Sequence, residues 1–193
     1  MNDPYLILTP ILMLGVLTLA RFVGCHLVFQ ATFEPEFEFV VVTPALGAER
    51  NDFTGWVGMA LTVGPKPIRV TELGRTMLSA TTQPHDMKVS RPAGQGLVDE
   101  RFATIPPSAA LAEFAYATLT EPLILQASQR YFVLSHEEAG GDSWRDATTT
   151  VTTTGDAQVT SGVSNEEGSP LFVLAGAVGN TFGPVDFKYT VES

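Results

Sequence analysis

The chain has 193 residues, of which 21 are acidic and 11 basic, so its formal net charge is −10. This length is sufficient for one domain with a hydrophobic core. Because a net negative charge repels phosphate backbones, we expect no nucleic acid among its partners. Cys25 is the only cysteine in the sequence, which excludes an intramolecular disulfide and a zinc site built from cysteines.

An apolar segment opens the chain. Residues 5–20 carry no charge, and a second apolar run follows Arg21 as far as Phe29. As a helix, the first run would span about 24 Å, close to the ~30 Å hydrocarbon core of a bilayer. We therefore expect residues 1–30 to be an N-terminal hydrophobic helix, either a membrane anchor or an export signal, ahead of a folded domain at residues 31–193. No Lys or Arg precedes Arg21, so the positive-inside rule leaves the orientation open.

Cys25 follows Gly24 directly behind the apolar run, and this pair resembles the processing box of bacterial lipoproteins. Phe22 and Val23 depart from the usual residues of that box. Two interpretations stay open: Cys25 carries a lipid, or it is a small apolar side chain in or beside the helix.

Short segments rich in β-branched or alternating residues, each bounded by Gly or Pro, fill the rest of the chain. Their spacing of about eight to twelve residues predicts an all-β, antiparallel sandwich of jelly-roll type. Pro122 predicts a turn between two of these strands, and Gly155-Asp156 predicts the turn of a hairpin. Residues 108–114 fit a short helical turn. The predicted strands lie within residues 31–52 and at 54–63, 68–73, 85–90, 113–119, 123–125, 130–137, 151–154, 157–163, 171–174 and 185–191.

Three segments, at residues 55–75, 85–102 and 113–137, share an order of strands and turns that ends in Pro122, Leu123, Leu125 and Tyr131. Together they resemble a family of bacterial extracellular β-sandwich domains of unknown function, found in surface proteins and beside carbohydrate-active enzymes. The resemblance implies a sandwich fold and a location facing the periplasm or the cell exterior. It rests on packing and turn residues, so it implies no functional residue.

The loop that begins at His136 gathers four carboxylates and a tryptophan around two glycines. Three interpretations compete. Oxygen-rich loops suit Ca²⁺, and the candidate ligands are Glu137, Glu138, Asp142 and Asp146. Alternatively, Trp144 stacks on a sugar ring while hydroxyl groups of the sugar contact His136, Glu137, Asp142 and Asp146. The third interpretation is an acidic, solvated loop with Trp144 folded back over the edge of the core.

We expect no catalytic activity. The sequence has no G-x-S-x-G elbow and no phosphate loop, and the spacing of Glu137 and Asp142 is what any acidic loop would offer a glycosidase. His85 and Trp56 are interpreted as packing or strand-edge residues. The predicted function is a membrane-tethered, extracytoplasmic module that binds carbohydrate. The alternative is a structural or assembly subunit of a cell-surface structure, in which sandwich edges make contacts between subunits, including contacts of a homo-oligomer.

Overall fold

The computed structural model describes residues 34–78, 83–107 and 113–193. These residues form fourteen strands, and no helix is present among them. The predicted N-terminal helix, the boundary at residue 30, Cys25 and residues 108–112 of the predicted helical turn lie outside the described residues. The strands are β1 (Phe37–Glu38), β2 (Val40–Ala45), β3 (Glu49–Arg50), β4 (Gly55–Val63), β5 (Ile68–Thr76), β6 (His85–Ala93), β7 (Gly96–Ile105), β8 (Phe114–Leu125), β9 (Arg130–Glu137), β10 (Trp144–Thr153), β11 (Ala157–Glu166), β12 (Val173–Ala175), β13 (Asn180–Gly183) and β14 (Val185–Val191).

The strands form three antiparallel sheets, as the all-β prediction requires. The largest has the order β12-β11-β4-β9-β6-β7, and the smaller two have the orders β1-β14-β5-β8 and β13-β10-β2. β3 also pairs with β10. Fully buried side chains from the largest sheet pack against those of the smaller sheets in one main core, as Met59 and Val133 do with Leu73 and Phe187. The described fold is therefore β-sandwich-like.

The six-stranded sheet is apolar on both faces. On β9, Tyr131 and Val133 belong to the main core, whereas Phe132 and Leu134 point to the other side of the sheet because successive side chains alternate. Phe132 and Leu134 are buried there in a second cluster with Ala60 and Val163. Trp56, Leu97 and Phe172 pack against this second cluster and cover part of the outer face.

The predicted turn at Pro122 is wrong, because one long strand, β8, runs through this position. β8 lies at the edge of its sheet and pairs with β5 alone. The register shifts between Thr118 and Leu123, which leaves Pro122 exposed in a bulge. Proline removes a backbone donor, and an edge bulge is a place where that donor is not needed.

The predicted hairpin around Gly155-Asp156 is also wrong, although the two strands and the turn are present. β10 pairs with β2, β3 and β13, whereas β11 pairs with β4 and β12, so the turn carries the chain from one sheet to another. Asp156 anchors this crossing by accepting a 2.8 Å hydrogen bond from the amide of Gly64 and a 2.6 Å bond from the Tyr189 hydroxyl.

A buried carboxylate, Asp186, ties three strands of the smaller sheets together. It is fully buried on β14 and accepts hydrogen bonds from the Val40 amide at 2.8 Å and from the Tyr116 hydroxyl at 2.6 Å. Burial raises the pKa of Asp186 to about 6, and the charge of nearby Glu38 adds to the rise, while the two hydrogen bonds oppose it. The same burial and the Asp186 carboxylate raise the pKa of Tyr116.

Folding stability is expected to rise as the pH falls from about 7.5 to about 5, because folded Asp186 takes up a proton in this range. In the unfolded chain the residue keeps its ordinary pKa of 3.8 and stays ionised, so protonation favours the folded state. A folded pKa of about 6 corresponds to a gain of about 1 kcal/mol. Urea unfolding at both pH values should give this gain for the wild type and not for Asp186→Asn. An equal gain in both proteins would assign the pH effect to other groups.

Candidate functional site

The structure separates the residues predicted to form one binding loop. Glu137 is buried at the end of β9, and Asp142 contacts His85. Trp144 and Asp146 both belong to β10 but have different surroundings. The remaining predicted residues, Glu138 in the loop and His136 on the outer face of the large sheet, are exposed and partly exposed respectively.

Trp144 lies in the interior and is only 2% exposed. Its ring meets Phe53 and Phe182 edge to face, with centroids 6.3 Å and 5.8 Å away. The Arg50 guanidinium lies 5.3 Å from the ring centroid. The ring therefore offers no free face on which a sugar could stack, in agreement with the interpretation that folds Trp144 back over the core.

Glu137 forms a buried ion pair with Arg75, and each side chain is 1% exposed. Arg75 donates to both carboxylate oxygens, from Nε to Oε1 at 2.9 Å and from Nη2 to Oε2 at 2.8 Å. Ser135 Oγ donates a third hydrogen bond to Oε1 at 2.7 Å. Arg75 also donates to the backbone oxygen of Ser143 at 3.1 Å. Since these donors occupy both oxygens, Glu137 is a structural residue here.

His85 extends this pair toward the surface. Its Nε2 lies 3.0 Å from Oδ2 of Asp142, and its Nδ1 lies 3.9 Å from Oε2 of Glu137. The side chain of His85 is 7% exposed and that of Asp142 is 18% exposed. The sequence around His85 predicts a packing or strand-edge residue and carries no signal of this pairing, because Asp142 lies 57 positions away.

Asp146 has a local structural role beside the irregular part of β10, where the register shifts between Arg145 and Thr149. It accepts hydrogen bonds from the amide and the hydroxyl of Thr148 at 2.9 Å and 2.6 Å. These bonds lower the pKa of Asp146 below its usual value. Gly47 packs so closely that a Cβ there would collide with the Asp146 carboxylate.

The four predicted calcium ligands do not converge in the structure. Within residues 34–78, 83–107 and 113–193, no group of three or more His, Cys, Asp or Glu side chains is placed to hold a metal ion. Asp146 bonds to Thr148, Glu137 bonds to Arg75, and Glu138 is exposed. The arrangement therefore gives the calcium interpretation no support.

His136 lies in a cluster on the outer face of the six-stranded sheet. Its ring meets Trp56 edge to face at 5.1 Å. The Lys88 ammonium sits 4.1 Å from the Trp56 ring centroid and 3.3 Å from a Glu100 oxygen. Trp56 and His136 are both partly exposed, so this is the one place where a predicted contact residue stands beside an aromatic ring at the described surface.

An apolar groove of about 240 Å³ lies on the same outer face. Phe132 and Phe172 contribute to it, their ring centroids 5.4 Å apart. The β6–β7 hairpin lines one side, through Pro92, Gly94, Gln95 and Gly96, and the chain segment Pro170, Leu171, Phe172 and Leu174 lines the other.

Three large apolar side chains at this edge of the sheet are exposed. Leu171 and Leu174 line the groove, whereas Val173 points to the other face of the sheet because successive strand side chains alternate. Leu171 and Val173 are each 59% exposed and Leu174 is 48% exposed. We call these three residues the β12 surface. A sequence signal for it exists, because residues 168–184 contain no charged residue although 17% of the chain is charged.

Glu137→Gln is expected to destabilise the fold by about 3–5 kcal/mol, because it leaves the buried Arg75 guanidinium without a counter-charge. The matched control is Glu138→Gln, which makes the same chemical change at an exposed neighbour and should cost no more than about 0.5 kcal/mol. Denaturant unfolding of the three proteins measures both effects. Equal, small effects would contradict a structural role for the ion pair.

Comparisons with known proteins assign the chain to no family. Neither the models of known protein families nor the curated proteins match it. The resemblance to bacterial extracellular domains thus stays a prediction from the segments at residues 55–75, 85–102 and 113–137. A functional proposal therefore rests on three features of the chain itself: the Arg75–Glu137 pair, the cluster around Trp56 and His136, and the β12 surface.

Proposed function

We propose that the chain is a non-catalytic assembly module of a cell-surface structure, which contacts other protein surfaces through the β12 surface. The observation that carries the proposal is the group of three exposed apolar side chains, Leu171, Val173 and Leu174, at a strand edge within an uncharged stretch. Exposed apolar patches on soluble domains mark interaction sites when they are contiguous. The adjoining groove extends the patch.

The engagement of the acidic residues supports a non-catalytic role. A glycosidase needs two carboxylates that face a cleft and reach the substrate. Glu137 instead receives hydrogen bonds on both oxygens inside the core, and Asp142 pairs with His85. Glu137 and Asp142 are the two carboxylates considered for a glycosidase, and both are engaged in contacts within the protein.

The proposed architecture is a jelly-roll-like sandwich tethered to a membrane by residues 1–30 and facing the periplasm or the cell exterior. The support for the tether is the uncharged run at residues 5–20. Within the described ranges, no helix has the length and apolar character needed to cross a membrane. The support for the location is the resemblance of roughly residues 54–144 to extracellular domains.

Carbohydrate binding is the second candidate, and its support lies at Trp56 and His136 in place of Trp144. The two rings are partly exposed next to Lys88 and Glu100, which combines apolar and hydrogen-bonding groups as sugar sites do. A glycan array probed with the wild type and His136→Ala tests this candidate. A glycan bound by the wild type and lost by the variant would favour carbohydrate binding over assembly.

For the assembly function, a photo-crosslinking amino acid at position 174 of the full chain should form protein adducts in the native cells upon irradiation. Position 42 is the matched control, because Val42 is 52% exposed and Leu174 is 48% exposed, and both are apolar strand residues. We expect adducts at position 174 and few at position 42. Their absence at position 174, or equal yields at the two positions, would overturn the proposal. The mass of each adduct distinguishes a second copy of the chain from another protein.

A further inference from the structure

The free edge of β12 is the least protected strand edge in the described fold. β12 is the outermost strand of the six-stranded sheet, and no strand among the described residues pairs with its other side. Such an edge presents unpaired backbone N–H and C=O groups, which proteins normally guard with charges or proline. β7, at the opposite edge of the same sheet, carries Asp99, Glu100 and Arg101, whereas β12 consists only of Val173, Leu174 and Ala175.

The other exposed edges carry protection as well. β1 contains Glu38, β8 contains Glu121 and Pro122, and the apolar edge strand β2 contains Pro44. The remaining edge strand, β13, has no charge or proline, but its side chains are mostly buried. Proline cannot donate to an added strand, so β2 and β8 are poor templates for pairing. β12 contains neither a charged residue nor a proline, and Val173 and Leu174 are exposed. This edge is therefore open to strand addition.

We propose that a second copy of the chain occupies this edge, its β12 pairing antiparallel with the first about a two-fold axis at Leu174. The proposal rests on the proposed assembly function and names the partner. The axis places Leu174 opposite its own copy and Val173 opposite Ala175 of the partner subunit. The unpaired backbone N–H and C=O groups of each β12 then pair with those of the other. Two six-stranded sheets then continue as one sheet across the interface.

The uncharged edge allows a second copy to bind despite its negative net charge. Each copy carries a net charge of −10, yet residues 168–184 carry none, so the edges meet without opposing like charges. A basic partner would need acidic contacts, and the β12 surface has no acidic side chain. Glu166 and Glu167 precede the Val173 end of β12, and antiparallel pairing puts the two acidic turns at opposite ends of the interface.

The grooves add to the same interface. An axis that joins two antiparallel edges is perpendicular to the sheet, so the outer faces of both sheets stay on one side. The groove lined by Phe132, Phe172 and Leu174 in one copy therefore continues toward the groove of the other. The result is one apolar strip centred on the two Leu174 side chains.

Sedimentation equilibrium of residues 34–193 tests the proposal. This unit contains the whole described core, so it is expected to fold by itself, and circular dichroism checks that it does. We expect a dimer whose population grows with concentration. It should also grow between about 0.1 M and about 1 M NaCl, where the screening length falls from about 10 Å to about 3 Å and the repulsion between two acidic bodies weakens.

Leu174→Lys and Leu171→Lys should each raise the dimer dissociation constant at least about tenfold, as loss of an apolar contact at the centre of an interface does. Val42→Lys is the control, with the same added charge at a similarly exposed valine. Both test positions are exposed, so the circular dichroism spectra of all variants should match that of the wild type.

A monomer at every salt concentration would overturn the proposal, as would equal weakening by Val42→Lys or a dimer that salt dissociates. Failure of the proposed assembly function looks different. A monomeric domain together with crosslinks from position 174 to another protein would remove the second copy and keep the assembly function. A monomeric domain without crosslinks from position 174 would overturn both the second copy and the assembly function.

Discussion

The buried pair of Arg75 and Glu137 sets the arrangement of the predicted loop. Burying two charges costs free energy unless each is fully hydrogen-bonded, and this pair meets that condition through two parallel bonds and the Ser135 hydroxyl. Arg75 lies on β5 and Glu137 on β9, so the pair joins a strand of each layer. Arg75 also holds the Ser143 carbonyl, so one guanidinium fixes the loop at both ends.

This double anchoring explains why the side chains of the acidic loop have different surroundings. Ser143 precedes Trp144 directly, so holding the Ser143 carbonyl positions the indole, which packs inward against Phe53 and Phe182. Glu137, the first carboxylate of the loop, is paired with Arg75, and Asp142 contacts His85. What remains of the loop is solvated, as the third interpretation of the sequence had it.

The sequence predicted strands better than it predicted their partners. β9 and β14 have the predicted bounds because their apolar residues alternate or run without interruption and turn residues delimit them. The turn at Gly155-Asp156 shows the limit. Val151 and Val159 both face the core, and this pattern is the same whether two strands pair in a hairpin or cross between sheets. Likewise, the acidic loop does not reveal that Glu137 will meet Arg75, 62 positions earlier.

In the proposed dimer, charge and packing together favour association at the β12 edge. The six-stranded sheet is apolar on both faces, but the main core covers one face and the cluster around Phe132 and Leu134 is largely covered by the chain itself. The acidic body repels other copies in most orientations, so the −10 charge limits nonspecific association. The orientation that brings two β12 strands together avoids this repulsion at the point of contact. In the proposed dimer, repulsion over the rest of the acidic surface therefore disfavours the other orientations and leaves the β12 edge as the place of contact.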